Sequence, residues 1–194
     1  MKFSRNSFQL IAFLLLCGIS ASAQALSDTD DFNKDGLSFN YPSGWSFNDN
    51  SSSDAQQMTF GRSDSDVQIT VFVFRAPLTT PEKIAEAKRV LVDKYVASTT
   101  KSFEQAAAHP QSSAVSSEIG GVKSEGVKIQ ASLDGVPGVA EIEWAVVGQR
   151  LVVLTILGPD KGLLKARSAW DTIRNTIRIE GSTPQPSPSP KTNP

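Results

Sequence analysis

Val67-Gln68-Ile69-Thr70-Val71-Phe72-Val73-Phe74 places Val67, Ile69, Val71 and Val73 on one side of an extended chain and Phe72 and Phe74 on the other. Side chains alternate across a strand, so a segment apolar on both sides needs cover on both faces of its sheet. This stretch therefore predicts a central strand in a layered fold. Leu151-Val152-Val153-Leu154-Thr155-Ile156-Leu157 has the same character and is a second candidate for the sheet centre.

Working outward, Ser63-Asp64-Ser65-Asp66 turns back to a strand over residues 56–60. Downstream, Thr80-Pro81-Glu82 combines a hydroxyl cap, proline at the first helical position and an early acid, which starts a helix. Ile84, Ala87, Leu91 and Tyr95 form its expected apolar stripe, and the helix reaches to about Phe103. Strands return over 113–119, over 123–133 with Val127, Ile129, Ala131 and Leu133 alternating, and over 139–147 with Ile142, Trp144 and Val146 alternating. Gly120-Gly121, Asp134-Gly135-Val136-Pro137-Gly138 and Gly148-Gln149 supply the turns. A last helix begins at Asp160 as its cap and aligns Leu163, Trp170, Ile173 and Ile177. Strands joined by hairpins, with one helix inserted and one at the end, specify an α+β fold: an antiparallel sheet flanked by helices on both faces.

Upstream, Leu37-Ser38-Phe39-Asn40-Tyr41 alternates as a half-covered strand, Pro42-Ser43-Gly44-Trp45 turns the chain, and a short strand follows at Ser46-Phe47. The run Gly36-Leu37-Ser38-Phe39-Asn40-Tyr41-Pro42-Ser43-Gly44-Trp45 resembles the opening of PsbP-like and DcrB-like domains, in which a strand ends in a Pro-x-x-Trp turn. The helix at Thr80, the long strands in meander, and the closing helix after Gly158-Pro159-Asp160 with Trp170 inside it follow the same order, over roughly residues 31–180. The resemblance implies an α/β/α sandwich used as a non-catalytic accessory or binding domain in a lumen, periplasm or envelope. Ser46 stands where PsbP usually has an acid after the turn tryptophan, and the penultimate hairpin has no histidine, so a photosystem role does not carry over.

Composition excludes several chemistries. The chain has 194 residues, with 19 basic against 20 acidic side chains, one His and one Cys. Near-neutral charge argues against a nucleic-acid binder, and one His with one Cys excludes a disulfide framework or a Cys/His zinc site. Residues 1–25 read as a secretory signal peptide: Lys2 and Arg5, the apolar run 10–19, then Ala21-Ser22-Ala23-Gln24-Ala25. The apolar run is too short for a membrane anchor. Cleavage near Ala23 or Ala25 takes the formal charge from −1 to −3 by removing Lys2 and Arg5, and it removes Cys17. A lipid anchor at Cys17 is not expected, because the large Leu16 precedes it. The organisation is thus signal peptide over 1–25, globular domain over 26–180 and a Pro/Ser-rich tail over 181–194, in an extracytoplasmic monomer. The tail holds five of the eleven prolines, lacks a large apolar residue, and on composition forms neither helix nor ladder.

Chemistry is sparse. His109 precedes Pro110 without an adjacent acid, and Ser98-Thr99-Thr100-Lys101 lacks the companion motifs of Ser-x-x-Lys enzymes. The chain is therefore not expected to be an enzyme. Asp31-Phe32-Asn33-Lys34-Asp35-Gly36 fits half a calcium loop, with Asp31, Asn33 and Asp35 as oxygen ligands, but Pro42 stands where the bidentate Glu belongs. Asn50-Ser51-Ser52 is a glycosylation sequon in a eukaryotic source. Tyr41 and Trp45 are candidate partner- or ligand-binding aromatics. The expected function is accessory docking of a protein or envelope partner, through a sheet edge or the loops over 41–50. The alternatives are a small-ligand or weak calcium-binding module and, second, a hydrolase.

Overall fold

The computed structural model describes residues 28–106, 109–133 and 135–180. The signal peptide expected over 1–25, Cys17 and the tail expected over 181–194 lie outside the described residues.

Seven strands form the main sheet. They are β3 (Ser46–Asp49), β4 (Ala55–Gly61), β5 (Gln68–Phe74), β6 (Gln111–Ile119), β7 (Val122–Leu133), β8 (Val136–Val147) and β9 (Arg150–Pro159). Their order is β3-β4-β5-β9-β8-β7-β6, and every neighbouring pair is antiparallel. The two segments apolar on both faces, β5 and β9, lie side by side within the sheet, as their patterning requires.

Helices cover both faces. On one side α3 (Asp160–Thr176) seals a core of Ile69, Val71, Val73, Leu154 and Ile156 with Ala166, Trp170 and Ile173. On the other, Phe72, Phe74, Leu151, Val153 and Ile142 meet Ala87, Val92 and Phe103. The architecture is the expected α+β arrangement. Asp160 is the first-turn acid of α3 rather than its cap, which is Pro159. There it still favours the positive end of the helix dipole.

The first helical segment departs from its expected stripe. It runs as α1 (Pro81–Ala87), a π-helical turn over Lys88–Asp93, and α2 (Lys94–Gln105). Thr80 caps it as read, its hydroxyl accepting from the Lys83 amide at 3.3 Å. A π turn inserts one residue into the helical period, so the buried stripe shifts after Ala87. From the turn onward Val92 and Phe103 are buried and Tyr95 is 40% exposed; Ile84, ahead of the turn, is already at the surface.

A second sheet of three strands is not legible in the pattern. Its strands are β1 (Thr29–Lys34), β2 (Leu37–Pro42) and β10 (Arg178–Ile179), in the order β1-β2-β10. Its Phe32 and Phe39 stack at 4.9 Å between centroids and join Tyr41, Phe47 and Phe60 in one aromatic cluster. A polar lock holds its other end. Buried Gln56 donates to Lys34 O at 2.8 Å and accepts from Arg150, which also donates to Asp35 O and Phe74 O.

Candidate functional site

The calcium-loop residues do not form a loop. Asp31 and Asn33 are exposed in β1, paired with Asn40 and Ser38 of β2, so extended backbone carries their oxygens along a hairpin instead of wrapping them around an ion. Asp35 sits in the hairpin turn at φ 50°, and Arg75 Nη2 donates to its carboxylate at 2.9 Å. Among the described residues, no group of three His, Cys, Asp or Glu side chains could hold a metal ion.

Tyr41 and Trp45 pack into one core to different depths. The Tyr41 ring lies 5.9 Å from Phe47 and 5.1 Å from Phe60, half-buried in the aromatic cluster, and burial with nearby Asp30 and Asp31 pushes its phenol up. Trp45 is buried against the α3 side of the core and lines a cleft of about 300 Å³ with Arg62, Asp64, Lys161 and Lys165. Bidentate contact at 2.9 and 2.7 Å ties Arg62 to Asp64. His109 is exposed, and the Ser98 hydroxyl donates to Tyr95 O at 2.9 Å, an ordinary intrahelical bond.

The two edges of the main sheet differ. At one, β3 is four residues long and ends in Asp49, whose carboxylate accepts from Lys34 Nζ at 2.7 Å and the Ser51 amide at 3.0 Å. Those donors hold its carboxyl far below the usual carboxylate range. Shortness and charge blunt an edge against addition of another strand. At the other edge, β6 is Gln-Ser-Ser-Ala-Val-Ser-Ser-Glu-Ile: nine residues, mostly exposed, with one charge, at Glu118. Among the described residues its sole strand neighbour is β7.

Polar side chains hold β6 in place from behind. The Ser117 amide donates to Ser124 Oγ at 3.2 Å, and Ser116 Oγ donates to Ser124 O at 2.9 Å. Glu143, buried on β8, accepts from Ser124 Oγ at 2.9 Å and from Ser117 Oγ. Its other oxygen faces Arg174 Nη1 of α3 at 3.4 Å, and Arg174 Nη2 donates to Asp171 at 3.0 Å. Glu141, two residues earlier on the same face, lies 3.4 Å from Arg167. Its burial and its contact with Glu143 outweigh Arg167 and raise its carboxyl above the ordinary glutamate range. The residues around Gly126 are equally close: a Cβ there would lie 2.7 Å from Ile142 O and from Val115 Cγ2. An edge strand is thus held rigid by three neighbouring elements.

Sequence patterning points to a sheet edge without saying which. The serine-rich run before Gly120-Gly121 is the available signal. The buried Glu143 is not found that way, because alternation assigns it to the face opposite Ile142 and Trp144 without revealing that α3 covers that face.

No protein-family model and no curated protein matches the sequence. Solved structures do. A crystal structure from Bacteroides thetaiotaomicron VPI-5482 is similar with a TM-score of 0.53 at 14% identity, covering 80% of this chain and 49% of that one. This chain therefore spans about half the length of that protein. Cyanobacterial PsbP (CyanoP) from Synechocystis sp. PCC 6803 is similar with a TM-score of 0.48 at 14% identity, over 82% of this chain and 97% of that one. A point mutant of the protein Mog1 is similar with a TM-score of 0.47 at 10% identity, over 78% and 96% of the two chains. The likeness to the Bacteroides thetaiotaomicron structure is one of fold. Among the described residues, no helix is long and apolar enough to cross a membrane.

Proposed function

We propose that this chain is a secreted or periplasmic accessory domain, without catalysis, that docks a protein partner by adding one of the partner's strands to β6. The observation that carries the reading is the contrast between edges: β3 is short and charged, whereas β6 presents nine residues with a single charge and is pinned in place by the Ser117–Ser124–Glu143 network. A free edge is a row of unpaired N–H and C=O groups, and natural sheets blunt such rows unless they are used. Pre-ordering β6 lowers the entropy lost when a second strand is laid on it.

The test is co-purification from native envelope with the full chain and with Ala114→Lys, which sets a charge on the exposed side of β6. The expected result is a stoichiometric partner with the parent protein and its loss with the variant, at unchanged melting temperature. Recovery of free protein alone, or a partner retained by the variant, would count against edge docking.

A further inference from the structure

The first helical segment covers part of its face of the main sheet. Val92 and Phe103 share a core with Leu151 and Val153 of β9, Ala140 and Ile142 of β8 and Ile129 of β7, and no residue of β3 or β4 belongs to it. A cleft of about 230 Å³ opens where the cover stops. Its walls are Phe72 and Val153 from the sheet and Leu91 and Tyr95 from the helical segment, while Gln57, Thr70 and Thr155 supply its polar groups. Leu91 lies in the π turn and Tyr95 just past it, so the departure from regular helix shapes this wall.

The strand registers extend the cleft into a row. Asn48 of β3, Thr59 of β4, Thr70 of β5 and Thr155 of β9 stand opposite one another across four adjacent strands. Directly paired residues share a face of their sheet. The row is exposed at Asn48, half-buried at Thr59 and Thr70, and buried at Thr155. Three strand spacings give it a length of about 14 Å. The hydroxyls of Thr59 and Thr70 lie 3.4 Å apart. Thr155 differs from them: it is 6% exposed, lines the cleft, and its hydroxyl has no hydrogen-bond partner among the described residues. A buried hydroxyl left unpaired costs free energy that a ligand's donor or acceptor recovers.

The chemistry of the lining selects the occupant. No lining residue is charged, whereas the cleft beside Trp45 holds Arg62, Asp64, Lys161 and Lys165. An ionic ligand would lose hydration here without meeting a counter-charge. The space exceeds the roughly 150 Å³ that holds a benzene ring, so one substituted six-membered ring fits. A purely apolar ring would leave Thr155 unpaired and make no use of the row. The geometry points to a binding site for an uncharged saccharide, with one sugar ring in the cleft against Tyr95 and Phe72, bonded to Thr155, and the next ring along Thr70 and Thr59 toward Asn48. The C–H faces of the sugar meet the aromatic and aliphatic walls, and its hydroxyls meet the threonines and Gln57. Two strands, β8 and β7, separate this site from β6, so saccharide binding goes beyond edge docking and is independent of it.

The test is a titration of the full chain with glucose, galactose, mannose, N-acetylglucosamine, maltotriose, cellotriose and chitotriose, followed by backbone amide chemical shifts, with phenol as the apolar ring for comparison. At least one sugar should shift the amides of Gln57, Thr70 and Thr155 at tens of millimolar, and its trisaccharide should bind more tightly. Thr155→Val and Tyr95→Ala should each weaken binding about tenfold, the worth of one good contact in an enclosed site. Tyr95 is partly exposed, so its variant keeps the test open if Thr155→Val lowers the melting temperature. Asn48→Ala should weaken the trisaccharide and leave the single sugar unchanged. The site is overturned if no sugar shifts these amides, if phenol alone does, or if binding survives both Thr155→Val and Tyr95→Ala. Unchanged trisaccharide affinity in Asn48→Ala would overturn the path along the row.

Discussion

Ser124 Oγ donates to Glu143 Oε2 at 2.9 Å inside a region where both residues are buried, joining β7 to β8 directly behind the edge strand. The pair matters because a buried carboxylate survives only when its lone pairs are occupied. Here Ser117, Ser124 and Arg174 occupy them, and the same bonds tie the sheet edge to α3.

Removing the cation should therefore cost more than removing a hydroxyl. Arg174→Ala leaves Glu143 buried and unpaired and is expected to destabilise by about 3–5 kcal/mol. Ser124→Ala leaves one acceptor short and is expected to cost about 1–3 kcal/mol. Urea unfolding of both variants measures the difference. Equal losses would show that the network is not organised around the charge.

Glu141 adds a pH dependence of definite sign. Its carboxyl in the folded protein is raised, chiefly by burial and then by Glu143. The folded state thus holds that proton to higher pH than the unfolded chain, so this group's contribution to stability falls as pH rises from the ordinary glutamate range toward neutral. The exposed carboxylates of Asp49, Asp64 and Glu86, lowered by their Lys or Arg partners, act in the opposite direction as pH falls below the ordinary range. Glu141→Gln should flatten the loss between about pH 4 and pH 7. Denaturant midpoints across that range read the effect, and an unchanged slope would contradict it.

Gly120 ends the β6 edge in a close approach to α3. Its φ of 58° and the 2.5 Å approach of Ile177 O leave no space for a methyl group. Gly121→Ala, at φ 82° with open space around it, should cost only the backbone strain, roughly 1–3 kcal/mol, and Gly120→Ala should cost more, because contact with Ile177 O adds to the same strain. Thermal melts of the two variants separate steric contact from strain, and equal shifts would remove the steric argument.

The hairpin of β1 and β2 predicts a response to calcium. With Asp31 and Asn33 along a strand and Asp35 held by Arg75 at 2.9 Å, millimolar calcium should leave the melting temperature unchanged. A rise that disappears in Asp31→Ala/Asp35→Ala would restore the calcium-binding module as the better reading.

Much of the fold is legible before the structure is known. The central placement of β5 and β9 follows from residues apolar on both faces, and the turns at Gly120-Gly121 and Gly148-Gln149 follow from their glycines, which tolerate positive φ. The helix start at Thr80 follows from a hydroxyl cap ahead of proline. The stripe expected on that helix fails after Ala87, because a π turn is a response to packing and leaves no mark in a 3.6-residue period. β1 stays hidden because its single buried side chain, Phe32, gives no alternation to read. Tyr41 and Trp45 stand out in the sequence as a pair, and both pack into the core beneath α3, Tyr41 half-buried through the aromatic cluster and Trp45 buried.

By itself the sequence determined an antiparallel sheet with helices on both faces, since alternation, capping and turn chemistry are local and each is written within a few neighbouring residues. Which strand is left at the edge, and that Glu143 lies buried behind it, only the tertiary structure decided. Both depend on the partner each strand meets from far along the chain: β5 pairs with β9, β6 has β7 as its one strand neighbour among the described residues, and α3 returns to close over Glu143.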